Sequence, residues 1–240
     1  MIPSPRQIAV ALAMLATLAG IWFFEGRGSW RARLEDRFLY GVPWGTLLTV
    51  GIVVAFYLFA QSGLRSWSDP VIYPFISWSF FYPFGVVTSG IAHGSPAHLI
   101  GNVTGTLALA PIAEYAWSHY ARPAGRTGDE RVDDASGATD GGRDEPWDAD
   151  DELLPEPPSG GTNPSLFERP LIRALVVFPA ALLAVSLVTG IYSLGPSLGF
   201  SGAVYGIIGF AVVCYPRKAV IGVVAASALG VVWEALANPV

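Results

Sequence analysis

The chain has 240 residues, of which 52% are hydrophobic and only 14% are charged, and its formal net charge is −5. Soluble domains carry about 25% charged residues, so this composition predicts a membrane protein and argues against an ordinary soluble domain. The single cysteine, Cys214, excludes an intramolecular disulfide and a cysteine-based zinc site, and the lack of an extended basic patch argues against nucleic-acid binding.

Six helical spans are expected, because a helix needs about 20 residues to cross a hydrocarbon core about 30 Å thick. The first lies between Arg6 and Glu25 and the second between Arg37 and Arg65, and neither interval contains a charged residue. From 70 to 92, prolines and glycines predict a loop that dips into the membrane surface. The other four spans are expected at about 97–115, 171–192, 198–215 and 219–236.

Most of the acidic residues fall in one stretch, since 13 of the 19 Asp and Glu lie between Asp129 and Glu168. Gly, Pro, Ser and Thr are also abundant there, and such a composition cannot bury enough apolar surface to fold. We therefore expect an acidic, disordered cytoplasmic insertion at 120–169, with an acidic docking tail as the alternative. The chain is thus expected to have three parts besides the insertion. These are an extra N-terminal helix with a basic loop (1–42), two core helices with the dipping loop (43–119) and three further core helices (170–240).

Basic residues set the expected orientation, because short cytoplasmic loops are enriched in Arg and Lys. Four arginines between positions 27 and 37 follow the first span, which places that loop inside the cell. With alternating spans, the turn at Arg217 and Lys218 also lies inside. The segments that precede His98 and Ser201 then both lie outside, so these two residues are expected at a similar depth.

Ser201 is the main candidate for chemistry, since it opens an uncharged span in the sequence Gly199-Phe200-Ser201-Gly202. A serine hydroxyl attacks a carbonyl efficiently only with a base in reach and with donors aimed at the oxyanion that forms. Free N–H groups at a helix N-terminus supply such donors, and the flanking glycines permit a tight turn. Taken alone, the motif is more often a helical serine bonded to the preceding turn.

His93, His98 and Asn102 form a second polar group near the start of the span at 97–115. His98 and Asn102 are four residues apart and share a helix face, so both can donate to the same oxygen. Polar groups are costly in hydrocarbon, and their recurrence at the depth of Ser201 indicates a joint site. Interhelical hydrogen bonding is the alternative for each residue alone. His119, at the start of the acidic insertion, is expected at the surface.

The combined pattern resembles the rhomboid family of intramembrane serine proteases. The resemblance covers about 43–240 and depends on these residues: His93, His98, Asn102, Glu114, Gly199, Ser201, Gly202 and Tyr205. It implies that Ser201 is the nucleophile and that His98, Asn102 and the backbone N–H of Ser201 form the oxyanion hole, to which Gly199 also belongs. Supporting roles are implied for His93, Gly202, Tyr205 and Glu114. No metal and no organic cofactor are implied.

The function implied by the resemblance is a serine endopeptidase, a multi-pass protein of the cell membrane whose partners are the lipid bilayer and the transmembrane segments that it cleaves. Two positions depart from the family. Trp78 is followed by Ser79 instead of the usual arginine, and no histidine follows His119, although the family's general base lies on a sixth core helix after the serine. We expect the chain to stop before that helix and to be inactive without it. The alternative is a catalytically inactive rhomboid-like protein that binds client transmembrane helices; the two motifs disfavour a transporter.

Overall fold

The computed structural model describes residues 5–25, 30–79, 81–120, 166–193 and 196–237. Within them the architecture is all-α, as predicted, with one isolated antiparallel bridge between Ser77 and Ser197. The helices are α1 (Pro5–Glu25), α2 (Trp30–Arg37), α3 (Trp44–Ala55), α4 (Pro83–Ser89), α5 (Pro96–Trp117), α6 (Pro170–Ile172), α7 (Phe178–Ile191), α8 (Ser201–Cys214) and α9 (Pro216–Ala237). The expected acidic insertion falls almost entirely outside the described residues.

Two π-helical stretches lengthen the helices. Phe56–Ala60 continues α3, and Arg173–Val177 joins α6 to α7, so that Pro170–Ile191 is one helix of 22 residues. This helix and Pro216–Trp233 are the two in the described part of the chain that are long and apolar enough to cross a membrane. On length and composition, the fold therefore supports membrane association through two helices. Three shorter apolar helices accompany them, at Gln7–Gly20, Trp44–Ala60 and Ser201–Cys214.

The long helices begin and end within a few residues of the predicted spans, but three local features differ. The basic loop contains α2, and the predicted dipping loop contains α4 and a 3₁₀ turn at Tyr73–Phe75. Tyr215 alone separates α8 from α9, so Arg217 and Lys218 lie in the first helical turn instead of a connecting turn. Pro216 accounts for this, because proline is well suited to the first position of a helix.

Helix α5 lies at the centre of the bundle and packs against α3, α8 and α9, while α1 packs against α9. The core between these helices is built from buried apolar side chains, among them Tyr57, Leu109, Phe178, Phe200 and Ile207. Helix α8 also packs against α7. A Cβ at Gly202 would lie only 2.4 Å from Thr189 Oγ1, and one at Gly206 only 2.9 Å from Val185 Cγ1. The two glycines thus allow a close approach of these helices.

Candidate active site

His93 and Asn102 form a buried hydrogen-bonded pair at the start of α5. The His93 Nδ1 atom lies 3.1 Å from the Ile91 carbonyl oxygen, which can only accept, so Nδ1 carries the proton. The other ring nitrogen, Nε2, then accepts from Asn102 Nδ2 at 2.9 Å. His93 lies in the loop before α5, where burial lowers its pKa to about 4; the neighbouring His98 acts in the same direction and the bond to Ile91 opposes it. The imidazole is therefore neutral at pH 7.

Gly199 brings the turn before α8 against His98 and Asn102. Its φ of +115° is a conformation that side chains rarely adopt, and its N–H donates to the Ser89 carbonyl at 2.8 Å. A Cβ at Gly199 would lie 2.4 Å from His98 Cε1 and 3.5 Å from Asn102 Nδ2. The backbone approaches both side chains because no Cβ is present. The structure therefore places the three predicted oxyanion residues next to one another.

Ser201 is the first residue of α8 and follows Gly199 by two positions. Its N-cap residue, Phe200, is buried in the core and holds the start of the helix in place. The backbone N–H of Ser201 belongs to the first turn, where N–H groups have no partner within the helix. Ser201 itself is partly buried. Convergence of its hydroxyl with the His98 and Asn102 side chains stays a prediction.

The other histidine of the motif, His98, packs its ring edge-on against His93, with 5.1 Å between the ring centroids. Its backbone N–H is capped by the Ser95 hydroxyl, which accepts at 3.2 Å and fixes the first turn of α5. Tyr205, one turn after Ser201, has 72% of its surface exposed. The supporting role that the resemblance implies for Tyr205 stays a prediction.

Glu114 does not join this site. It follows Asn102 by twelve residues on α5, which is about 18 Å along a helix. Its fully buried carboxylate accepts hydrogen bonds at the start of α3, from the Gly45 N–H at 2.7 Å, the Thr46 N–H at 2.8 Å and the Thr46 hydroxyl at 2.7 Å. A carboxylate at a helix N-terminus is stabilised by these donors and by the helix dipole. The supporting role of Glu114 is therefore to fasten α3 to the far end of α5.

The prediction that His119 lies at the surface is wrong, because the residue is fully buried. Its Nδ1 atom accepts from the Leu39 N–H at 2.9 Å, and its Nε2 atom donates to Glu114 Oε1 at 2.5 Å. The Phe38 ring packs beside it, 5.2 Å between centroids. The composition of the neighbouring insertion suggested exposure, but the partner Leu39 lies 80 residues earlier in the chain.

Sequence reasoning missed Gln61, which is fully buried and contacts the site directly. Its Oε1 atom accepts from the His93 N–H at 2.8 Å, and its Nε2 atom donates to the His93 carbonyl at 2.8 Å. The signal available in the sequence was a strongly polar amide near the end of the uncharged interval before Arg65. Such a residue needs partners when it is buried.

In the described ranges, no group of three or more His, Cys, Asp and Glu side chains is placed to hold a metal ion. Comparisons of the chain with protein-family models, with curated proteins and with solved structures found no match.

Proposed function

We propose that the protein is an intramembrane serine endopeptidase of the rhomboid type that cleaves transmembrane segments of other membrane proteins. The observation that carries this proposal is the position of Gly199, against His98 and Asn102 and two residues before Ser201. A carbonyl oxygen at this point has three kinds of donor within reach: an imidazole, an amide and the N–H groups that open α8. These are the components of an oxyanion site.

The proposed reaction begins when Ser201 Oγ attacks the scissile carbonyl carbon and its proton passes to a general base. The carbonyl oxygen becomes an oxyanion and accepts hydrogen bonds from His98 and from Asn102. Since Asn102 Nδ2 carries two N–H groups and donates one to His93, the second is available for the oxyanion. Collapse of the intermediate expels the amine, which takes the proton from the base, and water then hydrolyses the acyl-enzyme.

The length of α8 supports a site inside the membrane. Its 14 residues extend about 21 Å, whereas the hydrocarbon core is about 30 Å thick. If Tyr215 lies at the inner boundary of the hydrocarbon core, Ser201 lies inside the core, below its outer boundary. Water then reaches Ser201 past the polar groups of the site and not directly from bulk solvent. In this proposal the two long apolar helices, the three shorter ones and α5 make up six spans of a multi-pass protein of the cell membrane.

The reaction needs a base, and of the three histidines His98 is already assigned to the oxyanion in this proposal. His93 uses both ring nitrogens in hydrogen bonds, and His119 lies with Glu114 at the other end of α5. In the rhomboid family, which the motifs resemble, the base is a histidine on a sixth core helix, and the proposed reaction follows that assignment. Ser201 and Tyr205 lie four residues apart on one face of α8, and Tyr205 is 72% exposed, so this face has room for such a helix in the described part of the chain.

The second candidate function is a catalytically inactive rhomboid-like protein that binds client transmembrane helices. The engagement of His93 and His119 in structural hydrogen bonds favours it, because neither ring is available to accept a proton from serine. The two candidates share a fold and differ in whether Ser201 reacts. Reactivity of Ser201 is therefore the measurement that separates them.

The test compares the 240-residue chain with an extended form, in which the same chain is joined to the sixth helix of an active rhomboid protease. A Ser201→Ala variant of each form serves as its control. All four are purified in detergent, checked for folding and treated with a fluorophosphonate probe and a transmembrane reporter. We expect the extended chain to be labelled at Ser201 and to cleave, and the other three to do neither. A folded extended chain without either activity supports the binding function. Equal labelling of the two serine-containing forms would make His98 the base.

A further inference from the structure

Gln61 binds two separate segments of the chain through one side-chain amide. It follows the π-helical stretch Phe56–Ala60 and is fully buried. Its Oε1 atom accepts from the His93 N–H at 2.8 Å, while Nε2 donates to the His93 carbonyl at 2.8 Å and to the Val71 carbonyl at 3.0 Å. Both N–H groups of the amide and its oxygen are therefore in use.

The backbone of Gln61 completes the arrangement. Its carbonyl accepts from the Val71 N–H at 2.8 Å, and its own N–H donates to the Phe56 carbonyl at 3.0 Å. Gln61 thus forms hydrogen bonds with the backbone N–H and carbonyl of Val71 and with the backbone N–H and carbonyl of His93. Burial of an amide is costly unless all its polar atoms have partners, and here every one of them does. The end of α3, the loop at Val71 and the segment before α5 are held together at this point.

The residue whose backbone Gln61 binds carries an imidazole that donates from Nδ1 to the Ile91 carbonyl and accepts at Nε2 from Asn102. An unprotonated Nε2 requires the nitrogen of the Asn102 amide to face it. That nitrogen is also the Asn102 atom closest to Gly199, 3.5 Å from the Cβ position. If His93 carried its proton on Nε2 instead, Nε2–H would attract the Asn102 Oδ1 atom, and the amide would turn its oxygen toward Gly199. An oxyanion beside Gly199 would then meet an acceptor instead of a donor.

We propose that Gln61 is a positioning residue of the oxyanion site: it holds His93 in the orientation that turns the Asn102 amide nitrogen toward Gly199. The catalytic meaning of this inference rests on the proposed protease function. The orientation itself is a property of the folded chain and can be measured without catalysis.

The experiment uses the full chain in detergent micelles, labelled with ¹⁵N only at histidine. The chain has three histidines, so the imidazole signals are few, and His98→Gln and His119→Gln variants assign them. In the wild type we expect His93 to show one neutral tautomer with the proton on Nδ1, and to titrate near pH 4. Gln61→Leu, which keeps the volume and removes the hydrogen bonds, should give mixed tautomers.

Two further variants make the outcome specific. Gln61→Glu keeps the acceptor for the His93 N–H but loses both N–H donors when it is ionised, so it should change the His93 signals as well. Thr49→Val is the control: it removes another buried hydrogen bond of α3, from the Thr49 hydroxyl to the Gly45 carbonyl at 2.7 Å, away from His93. Its His93 signals should match those of the wild type.

The proposal is overturned if folded Gln61→Leu or Gln61→Glu retains the single Nδ1–H tautomer of His93. If Gln61→Leu does not fold, the spectrum of Gln61→Glu decides. In the extended form, Gln61→Leu should slow probe labelling of Ser201 at least ~10-fold, less than the ~10²–10³-fold expected for loss of an oxyanion donor itself. Absence of labelling in every form would remove the protease function, whereas the His93 spectra would still test the positioning by Gln61.

Discussion

Replacement of Gly199 by alanine tests whether the turn before α8 lies against His98 as described. The new Cβ would be 2.4 Å from His98 Cε1 and 2.6 Å from Nε2, distances that real Cβ contacts do not show. The φ of +115° adds strain that the wild-type glycine does not experience. The imidazole must move or the turn must change its conformation.

The expected cost follows from these two contributions. A non-glycine residue in a rarely populated backbone region costs about 1–3 kcal/mol, and overpacking of a well-packed site costs about 1–3 kcal/mol more. Rotation of the His98 side chain relieves part of the clash, so we expect Gly199→Ala to lower the free energy of unfolding by about 2–5 kcal/mol. The same rotation removes a donor from the proposed oxyanion site.

The assay is reversible unfolding in mixed micelles, followed by circular dichroism, with Gly209→Ala as the matched control. Gly209 lies on α8 as well, but nothing lies within 4 Å of its Cβ position. Alanine there should leave stability unchanged or raise it by up to about 1 kcal/mol, because alanine is the better helix former. In the extended form described above, Gly199→Ala should also reduce probe labelling of Ser201.

A Gly199→Ala protein as stable as the wild type, within about 0.5 kcal/mol, would refute the described turn. If stability falls but Ser201 labelling in the extended form is unchanged, the turn is correct and His98 is not an oxyanion donor.

Three further predictions concern Glu114, His93 and the acidic segment. Glu114→Gln replaces an accepting oxygen by an NH₂ group that faces donors of α3 or His119, and should lower the free energy of unfolding by about 3–5 kcal/mol in the same assay. The pKa of His93 is about 4 in the folded chain against 6.5 for an unperturbed histidine, so the unfolded state binds more protons between these two pH values. The free energy of unfolding should therefore fall by up to about 3 kcal/mol from pH 6.5 to pH 4, and the His93→Gln variant should lose this dependence. Protease should cleave the 120–169 segment in inverted but not in right-side-out vesicles, and the opposite pattern would reverse the proposed orientation.

Local signals in the sequence were sufficient to predict the long helices and the start of the serine helix. Ser201 begins α8 because Gly199 ends the preceding extended segment, and α5 begins at Pro96, which suits the first helical turn. The helices α2 and α4 have 8 and 7 residues and give no periodic signal long enough to detect. From the spans and their orientation the sequence predicted a similar depth for the His98 and Ser201 segments, but the contact of Gly199 with His98 and Asn102 was expected only through the resemblance, since no local pattern brings 98–102 and 199 together.

The contacts of Gln61 and His119 were beyond local reasoning for a physical reason. Their partners lie 32 and 80 residues away, and each side chain becomes buried only after α3 and α5 have packed. A residue beside a polar segment appears exposed when only its neighbours are considered. His119 is buried because the end of α5 packs against Phe38 and Leu39, not because of its own sequence context.

Buried polar side chains fasten α3 to α5 at both ends. At one end the Glu114 carboxylate binds the first turn of α3, and at the other Gln61 binds His93, in the segment before α5. The helices are therefore antiparallel, and two sets of directional bonds fix their register, which dispersion contacts between apolar faces would leave free to slide. Asn102 lies on the helix that is held in this way, and Gly199 packs against it. Hydrogen bonds at the two ends of this helix pair thus fix the position of Asn102 in the proposed oxyanion site, and the Glu114 end lies about 18 Å along α5 from Asn102.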